Sequence, residues 1–240
     1  MRSLENSMKI AAIHVTFARV GTLFNLEDNF RHKGLRKQLV DMIRDRGITD
    51  EALLEAMSVI PRHFFFDPAF LESAYEDKAF QIGEGQTISQ PYTVAYQTQL
   101  LEIKKRDKVL EVGTGSGYQA CILAKMGAKV FTIERHKKLF ERAKALIEAM
   151  HITGIRFFYG DGFEGLPSFA PFDKVLITAA VPELPMKLLD QLVIGGLLVM
   201  PYGKGNVQHM QRIIKIDEGK YEREEYDSFK FVPMLKGKVW

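Results

Sequence analysis

The sequence contains a single cysteine, Cys121, and no apolar run long enough to span a bilayer. One cysteine excludes an intramolecular disulfide and a zinc site built on cysteines, and it is typical of a protein from a reducing cytoplasm. A transmembrane helix needs about 20 mainly apolar residues, so no membrane-embedded segment is expected. Cys121 follows a glycine-rich turn within a helical pattern, which favours a buried, unreactive thiol over a reactive one.

An excess of charge of either sign is also missing. The chain has 33 Lys and Arg against 30 Asp and Glu, a net charge of +3 that is too small to indicate nucleic acid or anionic lipid by itself. A hydrophobic fraction of 46% and a charged fraction of 26% are typical of a globular protein with its own core. The length of 240 residues fits one enlarged α/β domain, without repeats or an interdomain linker.

The first 29 residues form an N-terminal extension whose role the sequence leaves unassigned. From Lys9 to Leu26 the chain carries no acidic residue, and its apolar stretch at 10–13 ends at His14. A secretory signal has a longer apolar centre and a small-residue cleavage site. We therefore expect an upstream extension or a loosely docked segment, with Met8 as an alternative start, and a presequence is the alternative.

Two helices and a long connection are expected before the main sheet. Apolar residues recur at helical spacing from position 30, beneath a basic face that we interpret as solvated rather than as a patch for acidic ligands. A second helix is predicted over 50–57, because the residue before Pro61 is pushed out of the α region. Residues 61–92 show little periodicity, and a connection of this length is uncommon in a compact domain unless it is functional. Its Phe64, Phe65 and Phe66 favour packing over a base-stacking platform.

Strand and helix patterns alternate through the rest of the chain. Strands are predicted at 108–112, 129–133, 155–159, 172–178 and 197–201, and helices at 94–103, 118–126, 136–150 and 185–192. Such alternation indicates a parallel sheet covered on both faces. The segments 210–216 and 226–234, around a turn at 217–220, indicate an antiparallel pair at the sheet edge. We predict an α/β fold: a Rossmann-like, doubly wound, mostly parallel sheet with an antiparallel edge pair and an N-terminal helical addition.

A glycine-rich turn follows the first predicted strand of this sheet. Residues 109–118 read VLEVGTGSGY, so Glu111 precedes glycines at 113, 115 and 117. The dinucleotide fingerprint G-x-G-x-x-G is not met, because its sixth position is Tyr118, and no Lys-Ser or Lys-Thr follows as in a P-loop. A carboxylate at this place disfavours a pyrophosphate and favours a ligand with a cationic amine.

Two more carboxylates follow the next strands. Glu134 ends the second strand, where a carboxylate can accept the hydroxyls of a ribose, and Asp161 lies between Gly160 and Gly162 after the third. Each acid alone is more typical of an exposed loop. Because the carboxyl ends of parallel strands share one edge, all three together favour a cationic nucleoside, S-adenosyl-L-methionine.

The motif Glu111-x-Gly113-x-Gly115-x-Gly117, with Glu134 and Asp161, resembles the class I S-adenosylmethionine-dependent methyltransferases. Further segments at 31–35, 59–64, 87–91, 179–182, 195–196 and 231–233 resemble one family among them, the protein-L-isoaspartate O-methyltransferases. The resemblance covers roughly 30–234. The extension before Phe30 has no counterpart, and Thr178 stands where the family more often has glycine or another small residue.

The resemblance implies methyl transfer from S-adenosyl-L-methionine to the α-carboxylate of L-isoaspartyl residues in aged proteins and peptides. That carboxylate is ionised at pH 7, so the reaction needs alignment and water exclusion rather than a general base. The implied acceptor site has Ser89 as its catalytic residue, with Thr87, Ile88, Ala180 and Val181 positioning the substrate. From the residues alone, Ser and Thr in such a loop are typically backbone caps. The implied cofactor-binding residues are Glu111, Gly113, Thr114, Gly115, Gly117, Glu134, Asp161 and Gly162.

Several expectations complete this interpretation. Residues 30–240 would form one methyltransferase domain, with 30–93 as a helical and loop lid for the substrate and 94–240 as the cofactor-binding core. We expect a cytoplasmic monomer that binds no nucleic acid and no membrane. No metal is expected either, since His63, His136 and His209 lack metal-ligand spacing. The alternatives are a methyltransferase of the same class acting on a small molecule or RNA, and a nucleoside-binding module without turnover.

Overall fold

The computed structural model describes Phe24 and residues 26–240, so the expectations for the N-terminal extension fall almost entirely outside the described residues. The first helices of the described part of the chain are α1 (Phe30–Asp45) and α2 (Glu51–Val59). Each begins at an N-cap: the Asn29 side chain accepts from the His32 N–H, and the Asp50 side chain from the Leu53 N–H. Both predicted helices are confirmed, with bounds shifted by one or two residues at α2.

The connection between α2 and the main sheet is more regular than expected. It contains 3₁₀ turns at Arg62–Phe65 and Pro68–Ser73 and a hairpin of β1 (Phe80–Gly83) and β2 (Gln86–Ile88). Glu84 and Gly85 both have positive φ, at 52° and 68°, as a two-residue hairpin turn of type I′ requires. Because β1 and β2 have four and three residues, their alternation is too short to recognise in the sequence.

The main sheet has seven strands in the order β5-β4-β3-β6-β7-β8-β9. The strands are β3 (Lys108–Val112), β4 (Lys129–Glu134), β5 (Ile155–Tyr159), β6 (Phe172–Ile177), β7 (Leu192–Tyr202), β8 (Gln208–Asp217) and β9 (Lys220–Phe229). The helices around it are α3 (Pro91–Leu101), α4 (Tyr118–Lys125), α5 (Lys137–Ala149) and α6 (Met186–Leu189). β3 to β7 are parallel, and β8 and β9 are antiparallel at the edge, which confirms the predicted fold class.

Some predicted bounds were wrong. β9 begins at Lys220 rather than at position 226, so only Glu218 and Gly219 separate it from β8. It ends at Phe229, so residues 230–234 lie outside the strand. The strand is largely polar and exposed because it is the last in the sheet, so hydrophobic alternation did not reveal it. The predicted helix 185–192 is only the single turn Met186–Leu189.

The core lies on both faces of the sheet. One cluster joins apolar residues of α1 and α2 to those of α4 and α5, so the N-terminal helices share a core with the sheet's own helices. Phe65 and Phe66 are buried in it, and Phe65 meets the Tyr118 ring edge-on, which confirms the packing role of these aromatic residues. Within the described part of the chain, no helix is both long and apolar enough to cross a membrane.

Candidate active site

A crevice of about 690 Å³ opens at the carboxyl ends of the parallel strands. The chain winds from β3 outward to β5 and then returns to β6 on the other side of β3. The loops after β3 and β6 therefore diverge, and such a switch point is where open α/β sheets bind ligands. The walls are completed by the β2 strand with the loop after it and by residues 228–235.

The glycine-rich turn forms the floor of the crevice. Gly113, Gly115 and Gly117 have φ values of 98°, 53° and 87°, which L side chains rarely adopt. A Cβ at Gly113 would lie 2.5 Å from Oγ1 of Thr178. Gly113 and Gly115 line the crevice, whereas Gly117 packs against Ile147 of α5. The first two glycines therefore give a ligand access to the backbone, and the third allows close helix packing.

Thr178 secures the start of this turn. Its Oγ1 lies 2.8 Å from the carbonyl oxygen of Gly113 and 3.0 Å from that of Val112. The hydroxyl thus donates to the end of β3 and fixes the start of the turn. Both Thr178 and the next residue, Ala179, line the crevice.

Glu134 is a buried carboxylate on the crevice wall. Its Oε2 accepts from the Gly115 N–H and its Oε1 from the His136 N–H, both at 2.9 Å. These bonds fix the carboxylate and tie the end of β4 to the glycine-rich turn. Each carboxylate oxygen has two lone pairs, so the group can still accept hydrogen bonds from a ligand.

Glu111 lies beneath the crevice rather than on its wall. The side chain is fully buried, and its Oε2 accepts from Thr132 Oγ1 at 2.5 Å. Thr132 Oγ1 lies 2.6 Å from Thr114 Oγ1, and Thr114 lines the crevice. Burial, with a smaller contribution from the negative charge of Glu134, raises the pKa of Glu111 to about 8. Direct contact between Glu111 and a ligand is therefore not supported, because Thr114 carries this network to the crevice.

Asp161 anchors the C-terminal segment. Its Oδ1 accepts from the Phe163 N–H at 2.9 Å, and its Oδ2 accepts from the Gly237 N–H at 2.6 Å. Arg135 donates to two carbonyls of the same segment, at 236 and 237. The neighbouring Gly162 lines the crevice, and a Cβ there would overlap Cγ1 of Val112. Of the predicted pair, Gly162 lines the crevice, while Asp161 holds the C-terminal segment.

The loop after β2 brings Ser89 to the crevice. Thr87, Ile88 and Ser89 all line the crevice. The Ser89 carbonyl accepts from Arg62 Nη2 at 2.7 Å. The first turn of α3 is fixed by Asp77, whose Oδ1 accepts from the Tyr92 N–H at 2.8 Å. Ser89 is thus presented from a loop that is held on both sides.

Arg62 and Asp77 were missed by the sequence reasoning. The sequence contains an indication for Arg62, because this arginine stands in a segment with Pro61 and three phenylalanines. An arginine that is buried with such a segment needs hydrogen-bond partners. The sequence contains no such indication for Asp77, because it stands among other charged residues in an irregular segment. Its carboxylate also accepts from Gln90 Nε2 and pairs with Arg46.

Ala180 and Val181 are placed away from the crevice wall. Both are buried, at 6% and 0% exposure. The Ala180 N–H donates to the Val232 carbonyl at 2.8 Å, and the Val181 N–H to the Pro201 carbonyl at 2.9 Å. Thr178 and Ala179 line the crevice in their place, while Ala180 binds residues 232 and 234 and Val181 binds the end of β7 and the residue after it.

One histidine cluster lies in the N-terminal helices. In the described residues, Asp28, His32 and His63 bring potential metal ligands within 4.8 Å of one another. Two of the three are already engaged: Asp28 binds the Arg36 guanidinium through both oxygens, and His63 hydrogen-bonds through both ring nitrogens. Because the Arg36 cation occupies the carboxylate, the cluster is better suited to holding α1 than to binding a metal.

Comparison with known proteins identifies the family. The model of the Protein-L-isoaspartate(D-aspartate) O-methyltransferase family matches residues 34–239. The chain is 52% identical over 215 residues to the Protein-L-isoaspartate O-methyltransferase of Cytophaga hutchinsonii, covering 90% of this chain and 97% of that protein. It is 51% identical over 213 residues to that of Flavobacterium psychrophilum, covering 89% and 100%.

Solved structures agree with this assignment. A protein-L-isoaspartate O-methyltransferase structure matches with a TM-score of 0.76 and 28% identity, covering 82% of this chain and 65% of that one. A Plasmodium falciparum protein of the same description, in complex with S-adenosyl-L-homocysteine, matches with a TM-score of 0.73 and 25% identity, covering 88% and 100%. The chain belongs to the protein-L-isoaspartate(D-aspartate) O-methyltransferase family.

Proposed function

We propose a division of roles within the crevice for the family's reaction, the S-adenosyl-L-methionine-dependent methylation of isoaspartyl residues. One half, formed by the loops after β3, β4 and β5, holds the cofactor. The other half, formed by the loop after β2 and by residues 178 and 179, holds the acceptor. The observation that carries this proposal is that Ser89 and the turn at Gly113 and Gly115 line the same 690 Å³ crevice.

The cofactor half fits S-adenosyl-L-methionine. Gly113, Gly115 and Gly162 line it without side chains, so a ligand can approach the backbone. Glu134 keeps lone pairs for the two ribose hydroxyls, as expected from its position at the end of β4. Thr114 lines the crevice and offers a hydroxyl oxygen that can accept a hydrogen bond from the amine of the ligand. When bound, S-adenosyl-L-methionine supplies a methyl group made electrophilic by its sulfonium.

The acceptor half has to orient an anion that is already ionised. We assign the Ser89 hydroxyl to donate to one oxygen of the isoaspartyl α-carboxylate, leaving the other oxygen free to face the methyl group. Thr87 lines the same wall and provides a second hydroxyl. Ile88 is 3% exposed, and its packing holds these two residues in place. The residues contribute alignment and water exclusion, the two requirements of this transfer.

The remaining assignments are proposals of the same kind. Residues 30–93 act as the lid of the acceptor half, supported by the position of Ser89 on their last loop. Isoaspartyl proteins and peptides are the partners of a monomer, and the near-neutral net charge supports the absence of nucleic-acid and membrane partners. The single cysteine, buried at position 121, supports a cytoplasmic location.

The decisive assay uses methyl-labelled S-adenosyl-L-methionine and paired peptides that differ only in carrying an isoaspartyl or an aspartyl residue. We expect base-labile label on the isoaspartyl peptide and none on its partner, because a methyl ester hydrolyses in base. Stable label on RNA or on a small molecule would contradict the acceptor assignment. Cofactor binding without transfer to any acceptor would support a binding module instead.

The role of Ser89 is tested by Ser89→Ala. The variant should lose about tenfold or more in kcat/KM for the isoaspartyl peptide, since one hydrogen bond to a charged group contributes about 1.5 to 3 kcal/mol. The dissociation constant for S-adenosyl-L-homocysteine, measured by calorimetry, should change less than about twofold. The control is Ser58→Ala, whose hydroxyl is exposed at the end of α2. An equal loss of peptide turnover and cofactor affinity would refute the assignment.

A further inference from the structure

Arg62 is a fully buried cation directly behind the acceptor half of the crevice. It is 0% exposed and lies 5.4 Å from the ring centroid of Phe66 and 4.9 Å from that of Tyr118. Its Nη2 donates to the Ser89 carbonyl at 2.7 Å, and its Nε donates to the Ala74 carbonyl at 3.0 Å. Both partners are neutral, so these hydrogen bonds hold the group without cancelling its charge.

The charge of Arg62 is also not neutralised by a carboxylate in contact. Its Nη1 is buried without a hydrogen-bond partner in the described part of the chain. The carboxylate that attracts it, Asp77, is hydrogen-bonded to Tyr92 and paired with Arg46. Burial lowers the pKa of Arg62 to about 10, so the guanidinium is still protonated at pH 7.

A second buried arginine of the same helical region shows the contrast. Arg36 is 6% exposed and binds both oxygens of Asp28, at 2.9 and 3.0 Å. Such pairing is the usual condition for burying a charge, because an unpaired buried ion carries a large desolvation penalty. Arg62 lacks this compensation, and its side chain ends at the loop that presents Ser89.

We propose that Arg62 is a positioning residue for the acceptor: it fixes the Ser89 carbonyl and places an uncompensated positive charge behind the binding site of the isoaspartyl α-carboxylate. The inference rests on the proposed role of Ser89. The substrate carboxylate then completes the charge balance that the protein leaves open. Arg62 acts through Ser89 and through space, without contacting the substrate.

The expected effect of the Arg62 charge on acceptor affinity follows from its distance to the acceptor. The guanidinium is 2.7 Å from the Ser89 carbonyl, and an acceptor bound to the Ser89 hydroxyl would lie about 8 Å from the charge. At an effective dielectric constant of about 20, a unit charge at this distance changes the affinity for an anion by about ten- to thirtyfold. A neutral acceptor of the same shape gains no affinity from this charge.

The test compares binding of two peptides, in the presence of saturating S-adenosyl-L-homocysteine so that no turnover occurs. One peptide carries the isoaspartyl α-carboxylate and the other the α-carboxamide at the same atom. We expect calorimetry to show at least tenfold preference of the natural chain for the carboxylate, and Arg62→Met to abolish most of it. Arg62→Lys should retain most of the preference while lowering kcat, because lysine keeps the charge but not the planar fork.

Arg36→Met is the matched control, since it removes a buried arginine from the same region without touching the Ser89 loop. It should lower the melting temperature and leave the peptide preference unchanged. An unchanged preference in Arg62→Met, or an equal loss in Arg36→Met, would overturn the proposal. If Arg62→Met does not fold, loss of preference in folded Arg62→Lys overturns it instead. Failure of the proposed function itself is separate: the natural chain would then not distinguish isoaspartyl from aspartyl peptides.

Discussion

Replacing Glu111 by glutamine should change how the stability of the protein without cofactor depends on pH. Burial raises the pKa of this carboxyl group from an ordinary 4.5 to about 8 in the folded state. Between these values the folded chain holds a proton that the unfolded chain has released, so the free energy of unfolding falls as pH rises. The slope is about 1.4 kcal/mol per pH unit, and the whole window amounts to about 5 kcal/mol.

The assay is urea denaturation at pH 5.5, 6.5, 7.5 and 8.5 for the natural chain and for Glu111→Gln. The difference in unfolding free energy, variant minus natural chain, should increase by about 1.4 kcal/mol per pH unit up to pH 8 and then level off, because glutamine has no proton to lose. Glu148→Gln, which changes an exposed carboxylate on α5, is the control and should give a profile parallel to the natural chain. Parallel profiles for Glu111→Gln as well would refute the argument that Glu111 is buried and protonated.

Three further perturbations test other parts of the site. Glu134→Gln should weaken S-adenosyl-L-homocysteine binding about tenfold or more by calorimetry, since it removes a charged acceptor from the crevice wall, and unchanged affinity would exclude the ribose assignment. Gly113→Ala should lower the free energy of unfolding by about 2 to 3 kcal/mol, because its φ is 98° and a Cβ would clash. Gly195→Ala, with φ of 81° and open space around it, should lose less free energy of unfolding, and equal losses in the two variants would contradict the clash at Gly113. Asp161→Ala should release the C-terminal segment to carboxypeptidase, and unchanged protection would disprove the anchor.

The alternating core could be predicted from the sequence because its signals are local. The bounds of β3 and β5 match the expectation, since each short strand pattern ends where turn residues begin. The glycine register after β3 also identified the ligand class, because positive φ and close approach are demands that glycine alone meets easily. These features depend on a few neighbouring residues.

The contacts that position the site could not be predicted in the same way. Asp77 reaches Tyr92 across 15 positions, and Asp161 reaches Gly237 across 76, so neither role is visible until the chain is folded. Glu111 was expected to face the cofactor, but its side chain is fully buried and bonded to Thr132 beneath the crevice. Position at a strand end predicts nearness to the crevice, but not which side chain reaches it.

The buried Arg62 cation suits a reaction that destroys charge. Methyl transfer joins an anionic carboxylate to a cationic donor, so the transition state is less charged than the bound reactants. A direct ion pair between Arg62 and the acceptor would stabilise the reactants most and raise the barrier, because only interactions that strengthen in the transition state accelerate a reaction. Arg62 is instead separated from the acceptor by the Ser89 backbone. Its charge is close enough to select the anionic acceptor and too far to neutralise it, which leaves the carboxylate and the sulfonium to neutralise each other.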